Sequence, residues 1–343
     1  MNILITGNEG YIGPVLSEML MHKGHSIVGY DTEYYIGNEL YPYPRIARQI
    51  RKDVRDVVRE DLDGVDVVMH LAGLSNDPLG ELAPGLTEDI NFRGTMALAR
   101  GAREAGVQRF IYASSQSMYG IADVSREVEE DNSEKNPITA YAKTKWEAEC
   151  QLMRLSDDRF AVTALRPSTV FGAAPNLRCD IVFNNLVACA YTTGKIEIKS
   201  DGTPWRPVVH VQDVSSAFIA AMEAPPGLVA AEAFNIGIEN GNYTVRDLAE
   251  AAQRAVPGST LVFTGEHGPD SRTYRVSFHK ILTRLKDYYK PQWDLDRGGR
   301  ELVDLFRRTN FTEEQFRGRT TIRLKQIRYL LDERKLNPDL HWA

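Results

Sequence analysis

A tyrosine and a lysine four residues apart, Tyr141 and Lys145, form the pair in this chain best suited to moving a proton. They fall in the stretch Tyr141–Leu155, which has a helical pattern, and a spacing of four places both side chains on one helix face. A phenol with an ordinary pKa of about 10 is a poor base near neutrality, but a neighbouring ammonium favours its phenolate form. In a chain of this composition chance supplies about half of one such pair. The position of the pair, after the strand pattern Phe110–Ser114 and with Ser114-Ser115 upstream, is therefore what gives it meaning.

A second constellation lies at the start of the chain, where Gly7-Asn8-Glu9-Gly10-Tyr11-Ile12-Gly13 follows an apolar run and opens a helical pattern. Glycines at such a turn let the backbone reverse tightly and approach a pyrophosphate, which the following helix N-terminus attracts. Gly7, Gly10, Tyr11, Ile12 and Gly13 are accordingly expected to bind a dinucleotide, the alternative being a plain tight turn. Asp31 ends the second strand, eighteen residues beyond Gly13. A carboxylate there accepts hydrogen bonds from the adenosine ribose and repels a 2′-phosphate, which selects NAD over NADP. Asp53 and Val54, at the end of the next segment, are expected to hold the adenine. The positive charge of a bound nicotinamide would add to that of Lys145 in favouring phenolate at Tyr141.

These residues need a scaffold, and the first 165 residues supply its pattern. Ile3–Thr6, Ser26–Tyr30, Val65–Leu71, Phe110–Ser114 and Val162–Arg166 have the character of buried strands. Between them Ile12, Val15, Leu16, Met19 and Leu20 recur at helical spacing, with Pro14 near the helix start and Gly24 at its stop. Ile90, Gly94, Ala97, Leu98, Gly101 and Ala105 mark another helical face. The alternation implies an α/β, Rossmann-type doubly wound parallel sheet over residues 1–165. After Arg166 loops lengthen, turn signals such as Asp201-Gly202 and Asn240-Gly241 appear, and helices dominate from Val245. A smaller α/β C-terminal substrate-binding lobe is expected over 166–343, with 208–224 returning to the first. Thr321–Glu333, with Ile322, Ile327 and Leu330 among basic residues, is expected to be a surface helix.

Composition excludes several classes. Across 343 residues, 41 basic side chains face 47 acidic ones, for a net charge of −6, which argues against a nucleic-acid or anionic-membrane partner. Cys150, Cys179 and Cys189 are too scattered for a disulfide framework or a zinc site, so no metal is expected. No apolar run has the length of a membrane span. Met1 leads directly into the first strand pattern with no charged leader before it, so a cytoplasmic protein is expected.

Taken together, Gly7-x-x-Gly10-x-x-Gly13, His70-Leu71-Ala72-Gly73, Asn91, Ser114-Ser115-x-x-x-Tyr119-Gly120 and Tyr141-x-x-x-Lys145 resemble an extended short-chain dehydrogenase/reductase. More narrowly, they resemble the NAD-dependent nucleotide-sugar epimerase/dehydratase family. Leu165-Arg166-Pro167, Phe183-Asn184-Asn185-Leu186, Arg206-x-x-x-His210-Val211-x-Asp213 and Phe234-Asn235-Ile236-Gly237 recur in that family's order. The resemblance implies that Ser115 bonds the reacting sugar hydroxyl, Tyr141 is the general acid/base and Lys145 binds the nicotinamide ribose. It implies cofactor contacts from Leu71, Ala72 and Gly73, and substrate contacts from Ser75, Ser117, Thr169, Asn185, Arg206 and Arg272. For the arginines, a guanidinium suits bidentate binding of a nucleotide-sugar diphosphate. His70 and His210 are expected to be structural. The helical faces Ile90–Ala105 and Tyr141–Leu155 resemble the pair that the family uses to form homodimers.

Two departures shape the functional expectation. The family's 4,6-dehydratases place an Asp-Glu pair just after the catalytic Ser/Thr, and its decarboxylases keep an acid there. This chain has Gln116 and Ser117 instead, and neither can protonate a leaving hydroxyl. Ser117 also stands where 3,5-epimerising relatives carry Cys, and Thr169 stands where many 4-epimerases have Asn. The resemblance therefore implies an NAD-dependent nucleotide-sugar 4-epimerase working through a transient 4-keto sugar. A 4-ketoreductase or dehydrogenase on the same substrate class is the alternative, and a non-catalytic dinucleotide sensor a third.

Overall fold

The computed structural model describes residues 1–198, 200–263 and 273–343. Its centre is a sheet of seven parallel strands. They are β1 (Asn2–Thr6), β2 (Ser26–Asp31), β3 (Arg48–Arg51), β4 (Val67–His70), β5 (Arg109–Ala113), β6 (Ala161–Pro167) and β7 (Glu232–Ile236). Across the sheet the order is β7-β6-β5-β4-β1-β2-β3, so the chain reverses its winding between β1 and β4. That reversal is a topological switch point, the crevice where open α/β sheets take their ligands.

Side-chain alternation along each strand decides which layer a residue joins. Ile3, Ile5, Val67, Met69 and Ile111 point to one face. There they meet Leu16 and Leu20 of α1 (Gly13–His22) and Val214 and Phe218 of α5 (Val211–Glu223). Leu4, Val68, Phe110 and Tyr112 point the other way, onto Leu98 and Ala99 of α2 (Thr95–Ala105) and Ala148 and Leu152 of α3 (Ala140–Met153). Pro14 sits in the first turn of α1, and Gly24 just beyond its end takes the left-handed conformation (φ +83°).

The structure differs from the sequence pattern in four places. β3 carries no apolar run because it is an edge strand with three of its four residues exposed. β7 returns to the sheet from the second half of the chain and pairs with β6. Before α2, Asp89–Gly94 form a π-helical turn; Ile90, Gly94 and Leu98 of the expected face are buried together with Met96, Ala99 and Ala102, but Ala97 is exposed. The fourth concerns α8 (Arg323–Asp332), which is not a surface helix. Its Ile327 and Leu330, with Leu336 and Leu340 beyond, join the layer of α2 and α3, and Arg323 and Gln326 are buried too.

The second lobe packs α4 (Val182–Thr193), α6 (Val245–Ala255) and α7 (Leu295–Arg308) around Phe183, Leu186, Leu248, Leu302 and Phe306. A small sheet of Thr169–Phe171, Trp205–His210 and Asn242–Thr244 connects it to the end of β6. Among the described residues no helix is long and apolar enough to cross a membrane.

Candidate active site

A cleft of about 520 Å³ lies at the C-terminal ends of β1, β2, β4, β5 and β6. The turn from β1 into α1 forms its floor. Gly7 has φ +73°, and a Cβ there would stand 2.9 Å from the Ala72 backbone nitrogen. A Cβ on Gly13 would stand 2.4 Å from the Gly7 carbonyl oxygen. Only hydrogen fits at either position, so β1, α1 and the Leu71–Gly73 segment close up beneath the cleft. Tyr11, in the same turn, donates its hydroxyl to the Gly172 carbonyl (2.7 Å) and accepts from Asn184 (2.9 Å), which ties the turn to the second lobe.

Asp31 is held upright at the tip of β2. Its Oδ2 accepts the Glu9 amide (3.0 Å) and its Oδ1 the Glu33 amide (2.8 Å), while burial pushes its pKa up. The nearby cations are already engaged: Arg51 pairs with Glu33 at 3.3 Å, and Lys52 with Asp61 at 2.8 Å. Asp53 and Val54 line the same end, though Asp53 is committed to Arg55 through bonds of 2.8 and 2.9 Å. Gly10, Ile12, Leu71, Ala72 and Gly73 complete this half of the wall. The wall fits a dinucleotide. The glycine floor admits a close backbone approach, the Asp31 carboxylate suits ribose hydroxyls, and the Arg323 guanidinium on the lining leaves a buried Nη1 without a partner among the described residues.

The proton-transfer set stands at the opposite end. Thr139 caps α3 by accepting the Ala142 amide, and its hydroxyl also bonds Asp77. Tyr141 and Lys145 sit one turn apart on the face turned to β5. Lys145 is buried, donates to the Ala113 carbonyl at 2.8 Å and lies 4.8 Å from the Tyr112 ring centre. Burial alone pulls it down to about 7. Ser115 starts a short 3₁₀ turn (Gln116–Tyr119) and bonds both the Tyr141 phenol and the Ser117 hydroxyl, the latter at 3.0 Å. The expected depression of Tyr141 is not found: burial raises the phenol, Asp77 adds to this, and the Ser115 bond and Arg178 only oppose it. Because burial leaves Lys145 only partly protonated near neutrality, the positive charge that would favour phenolate has to come chiefly from a nicotinamide.

Gln116 is a strut. Its amide nitrogen spans the Arg166 (2.9 Å) and Ile236 (3.4 Å) carbonyls, and its oxygen accepts from Ser168 (3.1 Å). Beneath it, Arg166 and Glu149 form a buried ion pair joining β6 to α3, and Glu149 also accepts from Ser114. His70 lies between Thr6 and Thr95, and burial holds it down at about 3. His210 caps α5, bonds Glu301 at 2.8 Å and stacks on Trp293.

Ser75, Ser117, Thr169 and Arg206 all line the cleft, and Arg206 also donates to the Trp205 carbonyl at 2.8 Å. Asn185 does not join them. Its side chain is exposed on α4 and donates to the Cys179 carbonyl, while its buried neighbour Asn184 turns inward to Tyr11. Arg272 lies outside the described residues. The sequence reading missed a network beside the phenol, centred on the buried Arg178. In it Arg178 chelates Asp180 (2.8 and 3.1 Å) and reaches Ser75 (3.3 Å), and Asp180 accepts from Asn76 (2.9 Å). Only the clustering of Arg178 and Asp180 just ahead of α4 hinted at it.

Comparison with known proteins fits this geometry. Residues 3–237 match the model of the NAD dependent epimerase/dehydratase family. The chain is 28% identical over 284 residues to the UDP-glucose 4-epimerase of Bacillus subtilis, spanning 74% of this chain and 82% of that one. It is 23% identical over 325 residues to the dTDP-D-glucose 4,6-dehydratase of Mus musculus, spanning 89% and 88%. Among solved structures, MoeE5 in complex with UDP-glucuronic acid and NAD aligns with a TM-score of 0.76 at 25% identity, over 90% of this chain and 100% of that one. The UDP-glucose 4-epimerase of Thermotoga maritima shares the fold, with a TM-score of 0.77 at 23% identity over 90% and 100%. The family match takes in the glycine turn, Asp31, Ser115, Tyr141 and Lys145 together, and the chain belongs to the NAD-dependent epimerase/dehydratase family.

Proposed function

We propose that this protein is a nucleotide-sugar 4-epimerase. The observation that carries the reading is a Ser115–Tyr141–Lys145 set whose adjoining position holds a locked amide, Gln116, rather than an acid. NAD, when bound, supplies reversible hydride acceptance at the sugar carbon. Tyr141 takes the proton of the C4 hydroxyl as that hydride leaves, and Ser115 holds the hydroxyl in line. Lys145 binds the nicotinamide ribose from its buried seat beside Ala113. The 4-keto sugar would then turn over in the cleft, and Tyr141 would return its proton to the C4 oxygen as that carbon is reduced on its other face. Ser75, Ser117, Thr169 and Arg206 are assigned to the substrate, with the Arg206 guanidinium matched to its diphosphate.

A second reading, dehydration, has one observation in its favour: the Asp77 carboxylate, at the start of the short helix Asp77–Gly80, lines the cleft and raises the Tyr141 phenol. Both are tested by incubating the protein with UDP- and dTDP-sugars without added reductant. Epimer without free NADH supports the proposal. Loss of water transfers the role of acid to Asp77, and stoichiometric NADH with a keto sugar means a dehydrogenase.

A further inference from the structure

The C-terminal segment is bound to the strand ends that carry the nucleotide half of the cleft. Gln326 donates to the Tyr34 carbonyl (2.8 Å) and Arg55 to the Asp339 carbonyl (2.9 Å). The Tyr34 hydroxyl bonds the Leu340 carbonyl, and Trp342 donates to the Thr32 carbonyl (2.6 Å) and lies under the Arg51 guanidinium. Every one of these partners falls between residues 32 and 55, directly after Asp31.

Arg323 is the side chain that this segment puts into the cleft. It is only 3% exposed and stacks on Tyr35 at 3.7 Å. Its Nη2 donates to the Asn176 carbonyl at 3.1 Å, and Asn176 in turn donates to the Glu9 carbonyl at 2.6 Å within the glycine turn. Its Nη1 is buried and has no hydrogen-bond partner among the described residues. A guanidinium so deeply buried is costly unless an anion completes it. The carboxylates around it are taken: Asp180 by Arg178, and Asp31 by the two backbone amides.

We propose that Arg323 binds the diphosphate of the dinucleotide, so that residues 319–343 are part of the cofactor site. The glycine turn offers backbone amides and a helix end to one side of the diphosphate, and Arg323 offers a fixed fork of donors from the other. The assignment is independent of which reaction the site performs.

The test uses the full chain freed of bound nucleotide, with calorimetric titration of ADP-ribose, NAD and, for the substrate's diphosphate, UDP. Arg323→Met should weaken ADP-ribose and NAD about 10- to 100-fold, the range of a lost charge-assisted contact. It should leave UDP unchanged, and Arg323→Lys should recover part of the loss. A folded Arg323→Met that keeps ADP-ribose affinity within about twofold would overturn the proposal. So would a variant that loses UDP instead, because the guanidinium would then belong to the substrate. Should Arg323→Met not fold, hydrogen exchange on the unaltered protein decides: ADP-ribose should protect Arg323–Asp332 and UDP should not. Equal protection, or none, overturns the proposal as firmly.

Discussion

Replacing Glu149 with Leu tests whether the support beneath the proton-transfer set is energetic or merely geometric. Glu149 and Arg166 each have 3% of their side chains exposed. Solvent screening therefore gives no discount, and the cost is that of an uncompensated buried charge. Among the described residues, Glu149→Leu leaves Arg166 hydrogen-bonded only to the Tyr119 hydroxyl (2.9 Å) and the Glu130 carbonyl (3.2 Å), neither of them anionic. Breaking one side of such a pair costs about 3–5 kcal/mol, or roughly a hundred- to several-thousandfold in the folding equilibrium. The double variant Glu149→Leu/Arg166→Met removes both charges and should recover at least ~2 kcal/mol of that loss. Urea titrations of the four proteins, followed by tryptophan fluorescence, give the cycle. Activity should fall in the single variant as well, because Ser114 loses its acceptor beside Ser115 and α3 carries Tyr141. A single variant costing under ~1 kcal/mol, or a double variant equal to the sum of its parts, would refute the argument.

Three further outcomes are expected of the site. Tyr141→Phe should keep fold and NAD binding and lose turnover by about 10²–10⁴-fold, the range for losing a general acid–base group; turnover within tenfold of the parent would exclude Tyr141 from the chemistry. Asp31→Ala should narrow the preference for NAD over NADP, because the neighbouring Arg51 and Lys52 are already paired and the carboxylate is the main source of discrimination; equal affinities in the unaltered protein would defeat the assignment. Burial, with Asp31, Glu33 and Glu39, lifts Glu9 from 4.5 to about 7. The folded chain therefore holds more protons there than the unfolded one, and stability is lost as pH rises from about 4.5 through 7. Glu9→Gln should raise Tm at pH 8 and change it little near pH 4, and a gain of the same size at both would show that Glu9 does not titrate in that window.

What the sequence made legible was whatever depends on neighbours along the chain. The glycine turn, Asp31 at a strand end and the four-residue spacing of Tyr141 and Lys145 are local patterns, and all three meet at the cleft. β3 escaped notice because an edge strand need not be apolar. The expected face of α2 holds at Ile90, Gly94 and Leu98, all buried, and fails at Ala97, which is exposed. Arg323 and the Arg178–Asp180 pair could not be found in this way. Each owes its place to partners more than a hundred residues distant, such as Asn176 for Arg323 and Ser75 for Arg178. The fate of Tyr141 is similar: the ammonium one turn away was visible in the sequence, but not the burial that pulls Lys145 down to about 7 and raises the phenol.

The Gln116 strut also bears on how the reaction classes of this family are separated. A carboxylate introduced at that position would point at the Arg166 and Ile236 carbonyl oxygens, acceptors that an amide nitrogen satisfies and an anion cannot. It would be driven to keep its proton and spend it on those carbonyls rather than on a sugar hydroxyl. No single exchange at Gln116 therefore leads from this chain to an acid-assisted elimination. The strands on either side would have to re-route their hydrogen bonds first, and the intermediate sequences would be less stable than either end. A side chain committed to holding two strand ends together thus acts as a barrier between neighbouring activities in sequence space.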